Sequence, residues 1–445
     1  MNQPDIFSKP ALSRRQLLAG GGLALTGVLS AGLLSACGGA ASAASVEQLR
    51  FWHLLSGGDG IKMQAMIDAV NSSQNGFHVN PTVLAWGAPY YTKLAMASAG
   101  GRPPEVAIMH ASRVAGYAPG GLLDPWDMDL LAKHGVTKDD FAPRIWENSL
   151  QGGKPFSIAL DSHPFILMYN TEIAKKAGAL GANGQLETIT SPDRFKEVAL
   201  EMAKVTGKHG LSYGYLGDGA QMWRLFYTFY KQHGANMELV QGQKAAVDRD
   251  VAISVLEYIK SLLDNKIATP SGDGGTAIAE FAGQDSGMFM SGVWELPTMQ
   301  TAKVPFDAMP IPTLFGTPAA YADSHAFVLP HQDNLDEQKR HDVYTFVSDI
   351  LKGSLNWAKA GHIPAFQPVV QSADYKNLLP QAHYAGAADI INYDPRAWFT
   401  GSGSDFQNYF AENIQNVFLG RTPAKDGWDA FVNRLNTLLS KPNPV

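Results

Sequence analysis

From residue 49 onward, β-prone stretches alternate with helical ones, and no other feature of the chain limits its fold as much. Leu49–His53 reads as a strand and Ser56–Gly60 as a glycine-rich turn. Met63, Met66, Ile67 and Val70 then mark one face of a helix by their spacing. Phe77–Leu84 is the next strand, a helix runs from Pro89 to Gly100-Gly101, and Pro104–His110 is a third strand. Parallel neighbours cannot be joined by a hairpin, so this order predicts an α/β class with mixed, mostly parallel sheets flanked by helices. Ligands of such sheets bind past the carboxyl ends of strands, near helix N-termini. His53–Gly60 and His110–Arg113 occupy such places.

Cys37 is the only cysteine, so the fold has no internal disulfide and must be held by a core. With 445 residues, 45% of them apolar, a core is available, and the length allows two to three domains. The chain opens on a leader. Ser13-Arg14-Arg15-Gln16-Leu17-Leu18 carries a twin-arginine signature, an uncharged Gly/Ala/Leu-rich run follows, and Leu34-Ser35-Ala36-Cys37 fits a lipobox. The uncharged span could also be a membrane anchor, but the small residues on both sides of Cys37 favour cleavage. The expectation is a signal peptide over 1–36, an acylated Cys37 and a flexible tether over 37–48. That describes an exported lipoprotein on the extracytoplasmic face of the membrane. The whole chain carries a net −6. Removing 1–36 takes away Lys9, Arg14, Arg15 and Asp5 and leaves −8, which argues against a nucleic acid partner. Nine Trp, fifteen Tyr and twelve His exceed what a plain core needs. Apolar rings with hydrogen-bonding edges suit a carbohydrate.

Phe281–Leu296 is the stretch where such a ring is best placed. It reads as a helix end at Glu280-Phe281, a turn at Gly283–Asp285, a strand Gly287–Met290 and then Ser291-Gly292-Val293-Trp294. A rigid aromatic just beyond a strand end can offer a stacking face to a sugar, although buried Trp is commoner as core. Two motifs suggest other chemistry. Gly210-Leu211-Ser212-Tyr213-Gly214 matches a hydrolase nucleophile elbow but is followed by a second glycine-rich loop instead of a helix. Gly272–Ala277 matches a dinucleotide pattern without the strand that should precede it. No His, Cys or carboxylate cluster has metal-ligand spacing, and Tyr90-Tyr91, adjacent on a helix, should point apart.

Phe281–Leu296 also resembles the segment F-x-x-G-x-x-A-M-x-x-x-G-x-W of bacterial extracellular solute-binding proteins. Tyr90–Val106 is similar to that family's K-x-x-A-x-A-x-G-x-x-P-D-V, and Gly120–Pro125 to its G-x-L-x-P-L. Phe156–Gly178 looks like its crossing segment, Thr190–Phe195 like P-x-T-W-x-E-l with Phe195 for Trp, and Trp357–Pro364 like W-x-x-x-x-G-x-x-P. The pieces span roughly 49–440 in the family's order.

The resemblance implies a two-lobe periplasmic-binding-protein fold of type II. The first lobe would hold 49–157 plus 313–353, and the second 158–304 plus 354–445. The chain would cross near 156–162 and 304–312, Pro305–Pro318 being proline-rich. It implies a monomer without cofactor or catalytic residues that passes a carbohydrate or sugar-like solute to an ABC permease. Glycerol 3-phosphate or a glycerophosphodiester is the alternative ligand. A secreted serine hydrolase on Ser212 and a receptor feeding a sensor kinase are the competing functions. Carried over by position, the site takes His53, Tyr90 and His110 from the first lobe, with no acid beside His110 and Ser112. Asp161 and His163 come from the crossing, and Trp223 and Trp294 are second-lobe stacking faces. Ser324, His362 and Arg396 complete it, His362 standing where the glycerol-phosphate branch has Tyr.

Overall fold

Side-chain alternation puts Leu49, Phe51 and His53 of β1 (Glu47–His53) on a buried face and Gln48 and Arg50 outside. The computed structural model describes residues 46–444, so the expected signal peptide and Cys37 lie outside the described residues. α1 (Gly57–Ser73) starts inside the glycine-rich stretch expected to be a turn, and buries Met63, Met66, Ile67 and Val70. β2 (Phe77–Val83) and α2 (Ala88–Ala99) repeat the unit. Pro89 sits in the first turn of α2, where its missing N–H leaves no bond unmade. β1 pairs in parallel with both β2 and β3 (Val106–His110).

A second sheet is centred on β4 (Asp161–Asn170), all ten residues of which are buried. α3 (Gly219–Gln232), buried on nearly every residue, packs on this sheet as an internal helix; Asp218 caps it by accepting from Gln221 N at 3.0 Å. β5 (Met288–Gly292), β6 (Phe306–Pro310) and β7 (Ala320–Asp323) all run antiparallel to β4. Beyond Ser324 the chain becomes β8 (His325–Pro330), which leaves this sheet and pairs antiparallel with β3, His325 opposite His110. The sheets are therefore mixed: each holds two parallel pairs beside its antiparallel ones. Alternation of elements reveals that a helix intervenes, not the end from which the next strand enters.

Each sheet has its own core. The first gathers Leu49, Phe51, Ile108, Phe327 and Trp357, and the second Phe165, Leu167, Phe226, Phe410 and Trp428. Ile158–Ala159 pairs with β8 in the first sheet while β4 belongs to the second, so one crossing falls at Leu160, inside 156–162. The other does not fall at 304–312, because β6 occupies 306–310 in the second sheet, and the chain returns at Ser324. Pro305 precedes β6 and Pro310 ends it, positions where a strand tolerates a missing donor. Ile363–Pro364 pairs with Ser162 and Asp161 and brings a third segment alongside the crossings.

Candidate functional site

The ends of β1, β3 and β5 and the starts of β4 and β8 converge on a cavity of about 400 Å3. From the first sheet's side it is lined by Leu54, Ser56, Asp59 and His110, and from the second's by Arg224, Trp294 and Glu295. His163 and His325, on the crossing strands, lie between. Trp294 stands in a single turn, Val293–Glu295, just past β5, which runs two residues further than expected, through Gly292. Its ring folds back over Gly292 so closely that a Cβ there would lie 1.9 Å from Trp294 Cζ3. The Arg224 guanidinium rests 4.6 Å from the Trp294 ring centre, and the His163 ring 6.0 Å away, edge-on.

Behind this wall Asp161 organises the histidines. Its carboxylate accepts from His163 Nδ1 at 3.0 Å, His325 Nδ1 and N at 2.8 Å each, and Trp357 Nε1 at 2.6 Å. Burial would raise its pKa, but His325, His163 and His362 outweigh burial and hold it well below the usual carboxylate value. An ionised Asp161 requires N–H at both Nδ1 atoms, which in a neutral His163 ring leaves Nε2 as a lone-pair acceptor. Burial depresses His163 to about 3, so it is neutral. His110 is arranged differently. Tyr91 Oη accepts the His110 backbone N–H at 3.2 Å and lies 2.6 Å from Nδ1, so that ring nitrogen is taken up by Tyr91. The cavity thus meets three imidazole rings, those of His110, His163 and His325.

His362 is fully buried. Nε2 lies 2.9 Å from Asp59 Oδ1, and Nδ1 lies 3.2 Å from Asp161 Oδ2 without hydrogen-bond alignment. Burial pulls its pKa down, but Asp59 and Asp161 reverse this and lift it to about 10. It is an imidazolium joining α1 to β4. Ligand atoms of Asp161, His163, His325 and His362 lie within 4.8 Å of one another, an N/O set that suits Zn2+. This corrects the expectation of no metal-type cluster: the members are spread over 202 positions of chain, so no spacing reveals them. The same atoms already bond to each other, and an ion could enter only by displacing N–H groups from Asp161.

Of the residues expected in the site, the structure brings His110, His163 and Trp294 to the cavity, with Asp161 and His362 behind them. Tyr90 is instead in the first core, its hydroxyl donating to Ile108 O at 2.5 Å. Trp223 is not a stacking face: it is buried between Tyr227 and Phe406, with Nε1 on Asp394 at 2.5 Å. Arg396 donates to the carbonyls of Glu147 and Leu150 in a separate surface depression. His53 packs against Phe51, and burial lowers it to about 4. Ser324 Oγ bonds Tyr393 Oη at 2.7 Å. Ser212 is fully buried on Glu280 and Ser286, and among the described residues no imidazole is hydrogen-bonded to it, His209 lying on the far side of Glu280. Arg224, His325, Asp59 and Glu295 were missed. Arg224 directly follows Trp223 and His325 follows Ser324, so the expectation picked the neighbour facing the core or crossing.

A family model described as bacterial extracellular solute-binding protein matches residues 65–380. No curated protein matches the sequence. Among solved structures, the GacH receptor of Streptomyces glaucescens, determined unliganded and with acarbose, is 19% identical, with a TM-score of 0.73 over 89% of this chain and 99% of that one. UgpB from Mycobacterium tuberculosis, in complex with glycerophosphocholine, is 16% identical, with a TM-score of 0.74 over 88% and 98%. The cyclic alpha-maltosyl-1,6-maltose binding protein from Arthrobacter globiformis is 20% identical, with 0.69 over 88% and 99%. These likenesses give the fold, the two-domain α/β arrangement of type II periplasmic binding proteins. Two cores, strands that pass between two sheets and a cavity where they meet agree with the family match, and the chain belongs to the bacterial extracellular solute-binding proteins.

Proposed function

We propose that the protein is the substrate-binding lipoprotein of an ABC importer. It captures a carbohydrate or sugar-like solute in the cavity and hands it to the permease, with no covalent step. The observation that carries this reading is the wall itself: an aromatic face on Trp294 beside imidazole rings that can donate or accept. Sugar hydroxyls both donate and accept, and their C–H faces stack on indole. The two lobes are those expected, 49–157 with 313–353 and 158–304 with 354–445, except that 306–323 stay with the second sheet and Trp357 packs in the first core. Ligand closes them only if it touches both, as Asp59 and His110 on one side and Arg224 and Trp294 on the other allow. Cys37 anchors the mature chain, which acts as a monomer. Glycerol 3-phosphate or a glycerophosphodiester is the second ligand reading, favoured by the cation of Arg224 in the wall.

Thermal-shift screening of sugars, sugar phosphates and glycerophosphodiesters tests the reading. A true ligand at about 100 times its Kd adds roughly 2.7 kcal/mol to stability. A complete screen without one saturable shift would sink it.

A further inference from the structure

Arg224 is a cation that no carboxylate hydrogen-bonds among the described residues. Only 7% of it is exposed, and it lines the cavity. Nη1 donates to Gln221 Oε1 at 3.2 Å and Nη2 to Ser402 Oγ at 3.3 Å, both neutral oxygens at long range. Nε is buried and has no partner. Among the described residues no carboxylate forms an ion pair with it, and two aromatic faces hold it instead, Trp294 at 4.6 Å and Tyr321 at 5.8 Å. A guanidinium has five N–H donors in a fork that fits a carboxylate or phosphate edge-on, and a desolvated one without an anion is costly.

The other charged and titratable groups nearby do not bond that cation: Asp394, which feels the Arg224 charge, is pushed up to about 7 by burial and accepts from Trp223 Nε1 and Tyr321 Oη instead. Asp59 is matched by His362, and Asp218 is turned onto the backbone of α3. Glu295 is moved toward its neutral form by burial. His110 and His163 are neutral, and His325 gives its Nδ1 proton to Asp161.

Resting on the reading of this cavity as the solute site, we propose that the solute is an acid-bearing polyol, a sugar or glycerol derivative whose carboxylate or phosphate docks on Arg224. Trp294 serves the guanidinium with one part of its surface and the polyol with another. The imidazoles of His110, His163 and His325 meet the hydroxyls. The site therefore selects anionic sugar derivatives over neutral sugars.

The test uses the mature protein and its Arg224→Gln and Arg224→Lys variants, checked for folding by circular dichroism. Melting is followed with inorganic phosphate against chloride at constant ionic strength. It is then followed with matched pairs: glycerol and glycerol 3-phosphate, glucose and glucose 6-phosphate, glucose and glucuronate. Phosphate should raise the wild-type melting temperature and leave that of Arg224→Gln unmoved. The acid member of at least one pair should bind at least tenfold more tightly than its neutral partner by calorimetry, and Arg224→Gln should abolish that preference. Which pair responds separates a phosphate from a carboxylate ligand. No response to any acid, or an equal response in wild type and Arg224→Gln, overturns the proposal. A neutral sugar whose binding is lost in Trp294→Ala but kept in Arg224→Gln overturns it as well, while leaving the solute-binding reading intact. Without ligand, Arg224→Gln should melt no lower than wild type; a large drop would give Arg224 a structural role instead.

Discussion

At the residue scale, the side chains that decide binding are those whose partners are incomplete or unusually charged. Trp294 is only partly buried and has a face toward the cavity, so truncating it should hurt binding more than folding. Trp294→Ala should weaken ligand binding by roughly 1.5–3 kcal/mol, as losing an anchor residue does. The unliganded protein should lose less than the roughly 3–5 kcal/mol of a fully buried Trp. Calorimetry and melting on one preparation decide; a large fall in melting with normal affinity in the folded fraction would make Trp294 core. His362 gives a prediction in pH. Its folded pKa of about 10 lies above the ordinary histidine value of about 6.5. Its stabilisation is therefore complete below about pH 6.5 and lost as pH rises through about 10. His362→Gln should be most damaging near pH 6, and its deficit against wild type should shrink toward pH 10 in denaturant titrations. A deficit that does not change with pH would show that shape, not charge, matters there. Trp294 was legible in the sequence because it follows a strand, a small residue and a glycine. Arg224 was not, because a buried arginine inside an apolar helix looks the same whether or not a carboxylate waits across the fold.

At the element scale the β5 end decides where the cavity wall stands. Gly292 is required by contact and not by backbone angle: its φ is −86°, which any residue adopts, but the Trp294 ring occupies the space of a Cβ. Gly292→Ala should cost about 1–3 kcal/mol, the usual penalty of overpacking, and should also weaken binding by displacing the indole. An alanine variant with wild-type melting and affinity would show that the ring moves freely. Gly361 plays the matching part on the neighbouring segment: at φ 102°, its Cβ would meet Val293 O at 2.0 Å. The helices and strands of the first sheet were readable from periodicity to within a few residues. α1 was the exception, starting at Gly57 because Ser56 in extended conformation can lead directly into helix.

At the scale of the whole molecule, the proposed function requires holding a ligand-binding body at the membrane surface. No helix among the described residues is long and apolar enough to cross a membrane. The proposed anchor, the lipid on Cys37, lies outside those residues. Cys37→Ala should leave the protein unacylated and released or retained as a precursor. Finding wild-type protein unacylated in a membrane-free fraction would refute the anchor. Replacing Arg14 and Arg15 with Lys should stop export by the twin-arginine route, and normal export would point to the general secretory route.

What the sequence determined by itself was local and periodic: the strand–helix alternation, the two-lobe class through its ordered motifs, and the placement of Trp294 past a strand end. The alternation and the place of Trp294 rest on contacts within about a dozen residues, where spacing alone dictates which side chains share a face, whereas the two-lobe class rests on the family resemblance. The tertiary structure alone decided the rest. His110 meets His325 because β3 and β8 pair antiparallel across 215 positions, and His163 meets Asp323 through the pairing of β4 with β7. Asp161 becomes the hub of three histidines, and Arg224 is left without a carboxylate, only because distant strands cross at Leu160 and Ser324. Pairing register and the presence or absence of a counter-charge are relations between distant segments, and no local pattern encodes them.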